Sequence, residues 1–311
     1  MTGLKKHPKI IGGLAVGLAS IMWGFDGIVL TPRLFNLDVI FVVFVLHLIP
    51  FTLMNFFLAG EYKQLLRFTW QDLAIFIIIA AFGGFIGTSA IVKALFLVNF
   101  QDLSVVVLLQ KLQPVFSIAL AALVLKEKIR KRFALWAGLA ILASYFLVFG
   151  IQRPSFSSGS NTIYAALFAL LASFSFGSST VFSKKILMKY SFHTGTFFRY
   201  GFTTVILLFI VLFTGKLGQF EEVTHSNWVY FIIIGLTTGS GAIFLYYFGL
   251  IRINAMLATM CELFFPISAI YFDYIFNGKI LSPVQWIAAA VMVFAIIKLN
   301  QPVNNDEQKV S

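Results

Sequence analysis

The stretch Leu18-Ala19-Ser20-Ile21-Met22-Trp23-Gly24 returns later in the chain as Leu171-Ala172-Ser173-Phe174-Ser175-Phe176-Gly177. The echo continues in order downstream. One constant offset lays Gly83, Gly87, Ala90 and Ile91 on Gly235, Gly239, Ala242 and Ile243, and Pro114 and Ile118 on Pro266 and Ile270. Trp136 and Ala140 then meet Trp286 and Ala290 after a small drift of the kind that loop indels produce. Chance gives one such match, not an ordered series, so the chain is read as a duplicated unit. The only linker-like stretch, from Gln152 to Asn161 with Pro154, several serines and Gly159, lies at the join.

Each unit holds five apolar stretches. With 59% hydrophobic and 11% charged residues, against roughly 45–50% and about 25% in soluble domains, the chain does not have water as its main solvent. Windows of about 20 apolar residues place spans near 10–31, 38–60, 72–98, 102–125, 132–150, 161–182, 193–214, 227–250, 254–276 and 283–300. In lipid each span must satisfy its own backbone, and runs this long without strand alternation do so as helices, which excludes a β-barrel. The first span follows Lys5, Lys6 and Lys9 but runs on through Trp23 and Asp26 without a cleavage pattern, so it reads as a retained helix and not a signal peptide.

Because five is odd, the second unit enters the membrane from the opposite side. This is the inverted symmetry that secondary transporters use for alternating access. The expected fold is an all-α membrane protein of ten transmembrane helices, arranged as two inverted five-helix repeats around a central cavity. The repeats occupy 10–150 and 161–300, and a polar tail at 301–311 is expected to be disordered.

The net charge of +11 reports topology and not a nucleic-acid partner. With the N-terminus inside, most Lys and Arg residues, including the 126–132 cluster, fall in cytoplasmic segments, and only Arg33, Arg153, Lys216 and Lys279 fall outside. This positive-inside bias puts both termini in the cytoplasm. Seven residues between two helices supply no folded basic surface with interleaved aromatics, so no nucleic-acid role follows. Cys261 is alone, and no disulfide framework exists.

Small residues at three- and four-residue spacing mark the faces where membrane helices meet, as in Gly83, Gly87, Ala90 and Ala94 or Ala169, Ser173, Gly177, Thr180 and Lys184. For such stripes simple packing outweighs ligand contact. Charges inside the spans say more, since each costs about 2.5–3.5 kcal/mol at a helix centre. Lys93 and Arg199 lie near span ends, where anchoring to headgroups weighs at least as much as solute binding, and Asp273 is a rim position. At about 1.5 Å per residue, Lys111 and Glu262 come near mid-bilayer. They occupy almost the same place in the two repeats, so these opposite charges could meet at the midplane as a static pair or a solute site, at even weight. Gln110 and Gln113 add polarity beside Pro114. Asp26 and, more weakly, His47 extend the polar route outward. Trp23 and Tyr246 could stack on a solute, although packing is the commoner role of a buried aromatic.

No phosphate-binding loop, zinc motif, cysteine and histidine cluster or nucleophilic set is present. The reading is therefore no enzyme, no cofactor and no resident metal, with energy taken from a gradient. Glu221 and Glu222 read as a solvated turn.

The residues now quoted resemble those of the ten-helix EamA-type exporters of the drug/metabolite transporter superfamily, over residues 10 to 300. The first-helix pattern ending in Trp-Gly stands as Ala19-Ser20-Ile21-Met22-Trp23-Gly24, and the fourth-helix pattern runs from Gln113-Pro114-Val115 to Lys126-Glu127-Lys128-Ile129. Its second copy runs from Phe265-Pro266 to Asn277-Gly278-Lys279-Ile280. The resemblance implies two pseudo-symmetric halves around a cavity and, in most members, export of small metabolites from bacteria, which range from amino acids to purines, vitamins, adenosyl compounds and drugs. The chain departs from the pattern at Gln113 and Phe265, where Glu is usual, and at Gly278.

The expected function is secondary active transport in the bacterial inner membrane, by export of a small polar or zwitterionic, amino-acid-like metabolite. Lys111 and Glu262 would engage the solute, and Pro114 and Pro266 would bend their helices. A proton or sodium ion is the candidate coupling partner, and the sequence leaves the oligomeric state open. The rivals are an importer or exchanger of a nucleotide-like metabolite such as an adenosyl compound and, more remotely, a membrane-embedded lipid-modifying enzyme.

Overall fold

The computed structural model describes residues 8–97, 106, 109–110, 112–151, 160–278 and 280–301. Among the described residues the regular structure is helical throughout, and nine helices are long and apolar enough to cross a membrane. In chain order the helices are α1 (Pro8–Leu34), α2 (Val39–Arg67), α3 (Trp70–Ile91), the shorter apolar α4 (Gln113–Val124), α5 (Lys131–Phe149), α6 (Ile163–Leu187), α7 (Phe192–Phe213), α8 (His225–Leu250), α9 (Ala255–Asn277) and α10 (Pro283–Asn300). The crossing expected over 102–125 falls partly outside the described residues, with Leu109 and Gln110 helical just before α4.

Counterpart helices begin alike. At the start of α3 the Thr69 hydroxyl accepts from Asp72 N while Asp72 accepts from Thr69 N (2.8 Å), and Thr224 and Asn227 repeat this box at α8. Such boxes supply partners for N–H groups that the first helical turn leaves orphaned. Both helices then pass through a π-helical turn at the same place, Ala81–Ile86 in α3 and Gly235–Gly239 in α8.

Packing is also mirrored. Helix α1 lies along α8 and α9, and α6, its counterpart, lies along α3 and α4. Helices α2 and α7, α4 and α9, and α5 and α10 each meet their own counterpart. A Cβ on Gly24 of α1 would come within 2.9 Å of Ala269 N and 3.0 Å of Phe265 O in α9, and one on Gly177 of α6 would come within 3.0 Å of both Ser117 N and Gln113 O in α4. These are the same two contacts in the two repeats. With no hydrophobic force between helices in lipid, such backbone approach is what holds them together. Large exposed side chains such as Phe57, Leu123, Phe213 and Ile287 face outward.

The Lys9 ammonium donates to Leu299 O (3.2 Å), so the start of α1 and the end of α10 share one face. On the same face Lys184, near the end of α6, donates to Leu250 O at the end of α8 (2.9 Å). Helix α1 thus leaves this terminal face while α6 arrives at it, so the two repeats run in opposite senses. The opposite face carries the Lys216–Asp38 pair (2.9 Å) and the Asn36–Asn227 amide contacts.

Also on the terminal face, Lys189, between α6 and α7, pairs with Asp72, which accepts from the Tyr190 hydroxyl as well (2.9 Å). The Asp72 carboxylate holds the Lys189 ammonium above the ordinary lysine value. A raised lysine contributes its stabilisation below its unfolded value and loses it as pH climbs through the folded one. Melting temperature should therefore fall more steeply above about pH 10 in the native protein than in Asp72→Asn. Gly177→Ala, whose methyl meets the α4 backbone at two points, should cost about 1–3 kcal/mol, read as a lower melting temperature in detergent; Gly138→Ala, where a Cβ meets nothing within 4 Å, should not.

Candidate functional site at the helix breaks

Helix α9 is interrupted at mid-length. Its first segment, Ala255–Cys261, ends at Glu262, and its second, Phe264–Asn277, begins after Leu263. The ladder tightens there, with Leu263 N–H donating to Met260 O (3.2 Å) and Phe265 N–H to Glu262 O (2.9 Å). Pro266 stands in the first turn of the new segment, where a missing N–H is tolerated. Helix α4 starts in the same way. Leu112 N–H donates to Leu109 O (3.1 Å), Pro114 sits in the first turn, and Val115 N–H donates to Leu112 O (2.9 Å). The Ser173 hydroxyl of α6 also donates to Leu109 O (2.5 Å), so a neighbouring helix helps to satisfy the break.

Side chains from four helices meet at the α9 break. The Glu262 carboxylate accepts from Gln113 Nε2 of α4 (2.7 Å), the Thr180 hydroxyl of α6 (3.0 Å) and the Tyr246 hydroxyl of α8 (2.6 Å). The Thr180 and Tyr246 hydroxyls also lie 3.0 Å apart. The Trp23 ring of α1 sits beside that of Tyr246, with centroids 5.3 Å apart and planes tilted by 48°. Tyr246 and Thr180 are buried, whereas Glu262, Gln113 and Trp23 keep partial exposure. The three hydrogen-bond donors to the carboxylate are uncharged. Charge-assisted hydrogen bonds of this kind are roughly twice as strong as neutral ones.

A second cluster lies beside the first. The Arg199 guanidinium of α7 donates to the Tyr247 hydroxyl (3.2 Å) and more distantly to Ser179 Oγ (3.5 Å), and the Tyr247 and Ser183 hydroxyls are 2.6 Å apart. Arg199 thus turns into the bundle, not outward to headgroups. A side chain at Gly83 would crowd both Ser179 and Arg199 Nη2, so the glycine of the α3 π-turn leaves room for the cluster.

The remaining residues lie apart from Glu262. Lys93, in the last segment of the third span, is exposed. Asp26 opens a π-helical turn toward the opposite face and accepts from the Thr31 hydroxyl (2.9 Å). The His47 ring donates from Nδ1 to Val43 O (2.8 Å) and lies beside Tyr200. Gln110 is helical and half-buried, while Lys111 lies outside the described residues.

Thr180, Ser173 and Glu127 were not singled out as site residues from the sequence. Thr180 and Ser173 belong to a stripe that reads as packing, and nothing in the sequence shows that their hydroxyls face the fourth and ninth spans. The Glu127 carboxylate, on the loop after α4, accepts from Ala255 N (2.7 Å) and Met256 N (3.0 Å) at the start of α9, where Asn254 caps Leu257 N (2.9 Å). An acid at a helix N-terminus is favourably placed against the helix dipole. Glu127 therefore fixes the short segment that ends at Glu262.

A bundle of apolar, mutually inverted helices closing on a polar cluster fed by two broken helices defines a multi-pass membrane transporter. The chain belongs to the EamA-like transporter family, which matches residues 10–149 and again 163–301. It is 54% identical over 293 residues to the riboflavin transporter ImpX of Fusobacterium nucleatum subsp. nucleatum, a match covering 94% of this chain and 98% of that one. A solved crystal structure shares the fold, with a TM-score of 0.68 at 16% identity over 91% of this chain and 94% of the other.

If the Glu262 cluster is one cooperative unit, its members should not act additively. Tyr246→Phe and Glu262→Gln, combined, should show a coupling of about 1 kcal/mol or more in detergent melts. Additive effects would mean that the two side chains are merely neighbours.

Proposed function

We propose that this chain carries riboflavin, or a flavin closely related to it, across the bacterial cytoplasmic membrane by alternating access, with the terminal face cytoplasmic. The observation that carries the reading is the 54% identity, along nearly the whole of both chains, to a protein named as a riboflavin transporter. The chemistry of the site supports it. An amino-acid-like zwitterion needs opposite charges side by side, for which Lys111 and Glu262 were the sequence candidates. The hydrogen-bond partners of Glu262 among the described residues are instead neutral donors beside two aromatic rings. That combination suits an uncharged, planar, polar solute.

In this reading Glu262, Gln113, Tyr246, Thr180 and Trp23 hold the solute. Gln110 and Lys111 remain candidates from the sequence to contact it, and the breaks at Pro114 and Pro266 flex as the repeats 10–150 and 161–300 rock against each other. Glu262 is the candidate site for a coupling proton. Asp26 lies on the way to the opposite face, and Arg199 orients Tyr247 behind the site.

Expression in a bacterium that can neither make nor take up riboflavin should restore growth on the vitamin. Labelled riboflavin should also exchange through reconstituted vesicles, and loading either side in turn gives the direction. Glu262→Ala should abolish both at unchanged membrane abundance. Movement of an amino acid, with no movement of any flavin, would overturn the proposal in favour of the amino-acid reading.

A further inference from the structure

We infer that Glu262 reads the imide edge of the solute's ring, as the central acceptor of a donor–acceptor–donor array completed by Gln113 and Tyr246. The inference rests on the flavin reading and adds the part of the molecule that is recognised. One oxygen of the carboxylate accepts from Gln113 Nε2 (2.7 Å) and the other from the Tyr246 hydroxyl (2.6 Å), so the acceptor is flanked by donors from opposite sides. The pyrimidine edge of an isoalloxazine presents the reverse order, a carbonyl, the N3–H and a second carbonyl. When this edge seats, N3–H donates to Glu262 while Gln113 and Tyr246 swing their hydrogens to the two carbonyl oxygens.

The exchange leaves no buried donor orphaned. Thr180 keeps its bond to the carboxylate (3.0 Å) and three hydrogen bonds become four: Gln113 and Tyr246 exchange charge-assisted bonds for neutral ones to the carbonyls, while the solute N–H supplies a new charge-assisted bond to Glu262. The partial exposure of Glu262 and Gln113, against the burial of Tyr246 and Thr180, marks the side from which the edge approaches. Trp23, half-exposed beside Tyr246, supplies the aromatic face against which the ring lies. The array also explains why the hydrogen-bond partners of this midplane carboxylate are neutral among the described residues. A cation fixed on Glu262 would compete with N3–H for the same lone pairs. The ligand class named is a planar heteroaromatic ring bearing an N–H between two carbonyls.

The test titrates the purified full-length protein in detergent, by quenching of flavin fluorescence, with riboflavin and with 3-methylriboflavin, in which the N3 hydrogen is replaced by a methyl group. The native protein should bind the methylated flavin at least about 10-fold more weakly, and Glu262→Leu should lose that discrimination because its apolar side chain accepts the methyl. If the Leu variant does not fold, Glu262→Gln supplies the comparison, with discrimination reduced because a neutral acceptor replaces a charged one. Equal binding of the two flavins by the native protein would overturn the inference and leave the flavin reading standing. So would discrimination that survives unchanged in the Glu262 variants, since sterics alone would then explain it. No binding of riboflavin at all would remove the flavin reading, and this inference with it.

Discussion

Hydrocarbon offers no hydrogen bonds, so every polar group that a membrane helix frees must find its partner within the protein. The two interrupted helices turn this constraint into a site. Where the ladder fails before Pro114, Ser173 reaches across from α6 to Leu109 O. Where α9 breaks, the Glu262 side chain draws in Gln113, Thr180 and Tyr246 from three other helices. The cluster is therefore both the device that makes the break tolerable and the place where four mobile elements are joined. In the proposed mechanism, a solute that offers equivalent hydrogen bonds would take the place of the internal ones.

The duplication is kept in the backbone and abandoned in the chemistry. The π-turns of α3 and α8, the capping boxes before them, and the paired backbone approaches of Gly24 and Gly177 recur at corresponding places. The polar side chains do not repeat. With Pro114 laid on Pro266, Gln113 falls on Phe265 and Glu262 on Gln110. In the proposed alternating access, backbone symmetry would serve the two-way motion, whereas a solute has no two-fold axis and would be recognised by side chains free to differ. Glu127 follows the same logic. It clamps the start of α9, and the corresponding turn in the second repeat carries Gly278.

The fold was legible because lipid imposes simple rules: apolar length marks a crossing, small residues mark contact, and the repeat follows by alignment. Glu262 and Gln113 stood out because polarity at mid-span is costly. Depth, however, is all that position in a span conveys. Arg199 read equally well as an anchor because its distance from the helix end says nothing about which way it faces, and the partner that turns it inward, Tyr247, comes from another helix. Thr180 hid in a packing stripe because a hydroxyl can satisfy its own helix. Glu127 looked like one charge among lysines because the N–H groups it caps lie across the fold. The solute was not legible, since the same polar inventory suits a zwitterion until the partners of each group are known.

The interleaved packing has a consequence for how the molecule is born. The glycine face of α1 lies against α8 and α9, which the ribosome makes long after α1 has entered the bilayer. The first helix therefore waits in lipid with its backbone uncovered, and the first five helices cannot close around it by themselves. Completion depends on the later helices packing against the first, so order of birth and order of closure differ. A chain stopped halfway would leave α1 an unclaimed edge rather than a finished half.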